Sequence, residues 1–131
     1  MSDRITEELA LIRREFPDVV YREEGRWVLI SSYPLPAGWN RVVTDVVFQI
    51  GEGHPATPPY GFYVPSGIQF QGTAPNNYTD QASNKPPFDK AWSFFSWAPE
   101  VGHWKPAAAA HAGSNLLHWV RGFGERFREG A

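Results

Sequence analysis

Four histidines, His54, His103, His111 and His118, are the side chains of this sequence that titrate nearest neutral pH and most readily bind metals. His111 and His118 stand seven positions apart and can share a helix face. No His-x-x-x-His pair or Glu-rich partner set accompanies them, so a zinc site is not expected. Cysteine is absent, which excludes disulfides, thiolate metal sites and thiol catalysis together. Gly51-Glu52-Gly53 lacks the further glycines and the lysine of a phosphate-binding loop. Exposed tryptophans could stack on sugars, but the composition is that of a cytoplasmic protein and no secretion signal is evident.

The elements that must position these groups are bounded by length and composition. At 131 residues the chain fits a single domain spanning 1–131, with one core. A hydrophobic fraction of 42% beside 20% charged residues excludes disordered and collagen-like classes. Six Trp, five Tyr and nine Phe give that core large rings to bury. A formal charge of −2 without a run of Lys or Arg leaves no footprint for nucleic acid or an anionic membrane. No stretch approaches a membrane span, and the start lacks the apolar core of a signal peptide, so the expected location is the cytoplasm. A protein or small-molecule partner fits this surface better.

Ile5, Leu9, Ile12 and Phe16 fall at steps of four, three and four, the stripe of a helix whose other face carries Glu7, Glu8, Arg13 and Arg14. Pro17 ends it. Val19 to Tyr21, Trp27 to Tyr33, about Val42 to Ile50, and Gly61 to Val64 read as four strands. The turns between them are short, which predicts an antiparallel meander. Gly72 to Pro87 is rich in Gly, Pro, Asn, Asp and Ser and reads as a long loop. From Pro106 onward the pattern is helical, with Leu116, Leu117, Val120, Phe123 and Phe127 as its apolar side; Gly113, Gly122 and Gly124 threaten to kink or divide it. The fold class is α+β.

Two local motifs sharpen that order of elements. His54-Pro55-Ala56-Thr57-Pro58-Pro59 resembles the Tyr-Pro-x-x-Pro-Pro turn of the ubiquitin-conjugating enzymes, and Trp104-Lys105-Pro106-Ala107 resembles their Trp-Ser-Pro-Ala. The resemblance spans the chain from its first helix to about Phe127 and is greatest to the divergent bacterial branch of that family. It implies a ubiquitin-conjugating fold and partnership with an activating-enzyme-like protein and a ubiquitin-like protein. ATP would be consumed by the activating partner, so no cofactor of its own is implied.

In that family the catalytic cysteine lies eight residues before the tryptophan of Trp-Ser-Pro-Ala, which here falls on Ser96. The resemblance therefore implies a hydroxyl in place of the thiol, and an oxyester in place of a thioester. A thiol of pKa about 8.5 is partly ionised at neutral pH whereas an alkyl alcohol is not, so Ser96 needs a general base. His103 is the better candidate and Asp89 the other; Asp89 or Glu100 could instead orient the histidine. Ser93 is a rival nucleophile. Ala74-Pro75-Asn76 resembles the family's His-Pro-Asn with its histidine lost and at about twice the family spacing, which makes Asn76 a candidate for oxyanion support. The alternative is a catalytically inactive protein of the same fold that binds or scaffolds the conjugation machinery.

Overall fold

The structure, a computed structural model, describes residues 3–51, 53–54, 56, 59–72, 78–79, 86–88, 91–95, 104–107 and 112–129. Helix α1 (Asp3–Glu15) buries Ile5, Leu9 and Ile12, the apolar stripe expected from their spacing. It stops one residue before Phe16, because the residue preceding a proline is driven out of the helical region.

Strands β1 (Val19–Arg22), β2 (Trp27–Pro34), β3 (Val43–Gln49) and β4 (Phe62–Pro65) follow in order, each antiparallel to the one before. A 3-10 turn at Glu24–Arg26 joins the first two. The sheet does not end at four strands. Tyr78–Thr79 forms β5 and Trp92–Phe95 forms β6, giving the order β1-β2-β3-β4-β6-β5. Strand β6 lies between β4 and β5, so the segment expected to be wholly loop contributes the outer strand. Two residues of β-forming Tyr and Thr, flanked by turn formers, are too short a run for period-two patterning to reveal.

Alternation along the strands sorts side chains onto two faces. One face carries Val28, Ile30, Val46, Phe48, Phe62, Val64 and Phe95, which pack with α1 and with α2 (Leu116–Glu129) in the main core. The other carries Trp27, Val47, Tyr63 and Trp92, with Leu29, Phe88 and Phe94 packed against them. Helix α2 buries Leu116, Leu117, Val120, Phe123 and Phe127 as its pattern predicts. It begins at Leu116 rather than near Pro106. The cause is a backbone crossing: a Cβ on Gly113 would sit 2.5 Å from the Lys105 carbonyl oxygen and 2.6 Å from the Ala107 nitrogen. Asn115 then caps α2, its Oδ1 accepting from the His118 N–H at 3.0 Å. Among the described residues no helix is long and apolar enough to cross a membrane.

Candidate functional site

Ser96, His103, Asp89 and Asn76 all lie outside the described residues, as do Glu100 and His111. Their described flanks are firmly held. Strand β6 runs up to Phe95 with partners on both sides: Phe95 is opposite Phe62 of β4 and Tyr78 of β5, and Phe94 is opposite Tyr63 and Thr79. Upstream, Trp92 Nε1 donates to the Phe88 carbonyl at 3.0 Å, and the Ser66 N–H donates to the Ala91 carbonyl at 2.9 Å. The chain therefore leaves residue 88 and re-enters at residue 91 from fixed points.

Gly61 explains how closely β4 and β6 meet at this end. Its φ is +70°, and a Cβ there would fall 2.0 Å from the Phe94 ring and 2.7 Å from the Phe95 carbonyl oxygen. Tyr60, just before it, is exposed and lies with its ring 6.3 Å from that of Phe94.

Ser93, the rival nucleophile, is fully buried, and its hydroxyl donates to Ser66 Oγ at 2.8 Å. A hydroxyl without solvent access, engaged across to the end of β4, serves the sheet rather than an acyl donor.

The tryptophan landmark is anchored downstream. Trp104 packs, partly buried, against the main core. The Lys105 N–H donates to Ser114 Oγ at 2.8 Å and the Ser114 N–H donates back to the Lys105 carbonyl at 2.9 Å. Arg4 donates to the Ala107 carbonyl at 2.6 Å, tying the same segment to α1.

A buried polar junction joins these pieces. Glu8, expected on the solvent face of α1, is fully buried. Its Oε1 accepts from the Leu116 N–H at 2.8 Å, and its Oε2 lies 2.5 Å from His54 Nε2 and 3.3 Å from Arg4 Nε. One carboxylate thus meets the first N–H of α2, the histidine that opens the proline-rich segment, and an arginine one turn earlier on α1. A sequence signal existed only as the i, i+4 pairing of Arg4 with Glu8; the partner helix end could not be read. His54 is therefore a fold residue, and His118 is exposed on α2. Among the described residues no three His, Cys, Asp or Glu side chains come together as a metal site.

Tyr33 is a strongly perturbed titrating group. Burial is the main cause that pushes its phenol up to about 12, with the Gly124 N–H and Arg128 pulling the other way. The hydroxyl donates to the Val120 carbonyl at 2.7 Å and accepts from the Gly124 N–H at 3.0 Å, bridging the i, i+4 positions of α2. A groove of about 550 Å³ beside it is lined by Phe16, Leu35, Arg121 and Arg128 among others, none of them a predicted site residue.

No protein-family model, no curated protein and no solved structure matches this chain.

Proposed function

We propose that this chain is a ubiquitin-conjugating-enzyme-like transferase that carries a ubiquitin-like protein as an oxyester on Ser96, within a bacterial ubiquitin-like conjugation pathway. In the charging step the Ser96 oxygen attacks the thioester carbonyl carbon presented by an activating-enzyme-like partner. The C–O bond forms, His103 accepts the hydroxyl proton, and the C–S bond breaks to release the partner's thiolate. Asp89 would orient the histidine, and Asn76 would donate to the oxyanion. In onward transfer an acceptor amine bonds the carbonyl carbon, the C–O bond breaks, and the proton the amine loses returns through His103 to the Ser96 oxygen.

What supports the reading is the arrangement on either side of the proposed nucleophile. An α1 helix and an antiparallel meander lead to a β6 strand held on both edges up to Phe95, and the Trp104 to Ala107 segment is pinned to α1 and to the start of α2. Rigid flanks of this kind are what a reactive loop needs. Burial of Ser93 leaves Ser96 as the serine of that aromatic segment to test.

The lack of cysteine favours a second reading, in which the domain binds the ubiquitin-like protein without forming an ester. Incubation with an activating enzyme, ATP and the ubiquitin-like protein separates the two. An adduct that survives thiol reductant, is cleaved by hydroxylamine and is lost in Ser96→Ala supports the transferase; binding without an adduct supports the scaffold.

A further inference from the structure

Strand β1 ends the sheet, and among the described residues it pairs only with β2. The register sets Val19 opposite Ile30 and Arg22 opposite Trp27, and it extends to Asp18, whose carbonyl accepts from the Ser31 N–H at 3.0 Å. Asp18, Val20 and Arg22 therefore turn their backbone groups toward β2, and the N–H and C=O groups of Val19 and Tyr21 point away from the sheet. Side chains alternate in the same phase. Val19 and Tyr21 lean on the main core, whereas Asp18, Val20 and Arg22 share the other face and are exposed, Val20 to 48%. Arg22 Nη1 donates to the Pro87 carbonyl at 3.3 Å, which uses one of its five N–H donors.

Charges on an edge strand ordinarily repel another strand. Here they match a copy of themselves. When Asp18-Val19-Val20-Tyr21-Arg22 is laid antiparallel against a second copy with Val20 on the two-fold axis, Asp18 faces Arg22 at both ends and Val19 faces Tyr21. Each Val19–Tyr21 pair then exchanges both outward backbone bonds. Registers shifted by two residues lose this match. With Tyr21 on the axis, Asp18 faces Glu24 and Arg22 faces Val20; with Val19 on the axis, Tyr21 faces Pro17, which has no N–H to give. We infer that β1 is a homodimer interface, pairing antiparallel with β1 of a second copy about Val20 so that the two sheets become continuous. The interface is independent of any reaction at Ser96.

Sedimentation velocity of the full chain over a concentration series tests this with charge variants. Asp18→Arg and Arg22→Asp each turn two opposite-charge pairs into like-charge pairs, and each should weaken self-association about thirtyfold. Mixed together the two variants are complementary again, and they should form a heterodimer of near-parental affinity. A crosslink reads the register. Facing Val20 residues form a non-hydrogen-bonded pair with Cα atoms about 4.5 Å apart, a span that a disulfide bridges. The chain has no cysteine, so Val20→Cys provides a single thiol. With diamide as oxidant it should dimerise about tenfold faster than Val43→Cys, a comparably exposed position on β3. Circular dichroism checks the fold of each variant, and the crosslink decides the matter should a charge variant unfold. Crosslinking of Val20→Cys no faster than that of Val43→Cys, or a parent that stays monomeric at millimolar concentration, overturns the inference and gives the edge to a strand of another protein. Dimers that both charge variants leave unchanged, or a mixture that fails to recover, overturn it as well.

Discussion

Replacing Glu8 should be among the most damaging single changes in this protein, although its place in the sequence suggests a surface residue. Glu8→Ala removes the acceptor for the Leu116 N–H, the partner of His54 Nε2 and the partner of Arg4 Nε in one step. Breaking a buried charged pair by deleting one side costs about 3–5 kcal/mol, because the groups that faced it lose that partner while staying out of water. A domain of ordinary stability has roughly 5–15 kcal/mol in total, so the loss is a large share. With an unfolding entropy of about 2.1 cal/mol/K per residue, that loss corresponds to a fall in Tm of roughly 10–20 °C. Glu8→Gln keeps an acceptor for the Leu116 N–H and gives up the charge, for a loss of about 1.5–3 kcal/mol. Urea unfolding followed by tryptophan fluorescence gives both values by linear extrapolation. A Glu8→Ala variant within 1 kcal/mol of the parent would refute the argument that this junction ties α1 to the start of α2.

Gly61→Ala combines a left-handed backbone position with overlap against the Phe94 ring and the Phe95 carbonyl, and should cost about 3 kcal/mol or more, read from the urea midpoint. Gly124→Ala should go the other way. Among the described residues a Cβ there meets the movable Arg128 guanidinium at 3.3 Å and the Tyr33 hydroxyl at 3.5 Å, so the gain in helix propensity of about 0.5–1 kcal/mol should appear as a higher Tm. Tyr33 predicts an alkaline transition. Its folded pKa of about 12 lies above the unfolded value of 10, so its contribution is whole below pH 10 and is lost as pH rises toward 12. The full effect is about 3 kcal/mol, measurable as a urea midpoint that drops more steeply above pH 10 in the parent than in Tyr33→Phe; identical slopes would contradict it.

Periodicity carried most of the fold because the residues that show it also bury it. The steps of Ile5, Leu9 and Ile12, and the run from Leu116 to Phe127, pointed to helix faces that the structure buries. The first four strands were legible for the same reason. Strand β5 was not, since two residues gain their partner only from the distant Phe94 and Phe95. The start of α2 was misread because the alanines after Pro106 favour helix locally, while the close crossing at Gly113 is a tertiary fact. Glu8 was read as a surface charge because its partners, His54 and the Leu116 N–H, are 46 and 108 positions away. Of the proposed chemistry, the sequence supplied the identities Ser96, His103, Asp89 and Asn76, and the structure describes their chain neighbours Phe88, Phe95 and Trp104. Ser93 could be set aside only by its burial, which depends on β4 and β6 lying side by side.

The most direct test of the account is the chemistry of a covalent adduct with the ubiquitin-like protein. After charging by an activating enzyme and ATP, the adduct should resist dithiothreitol, yield to hydroxylamine, map to Ser96, and become sensitive to dithiothreitol in Ser96→Cys. No adduct from a demonstrably active upstream enzyme, in the parent and in Ser96→Cys alike, would contradict it.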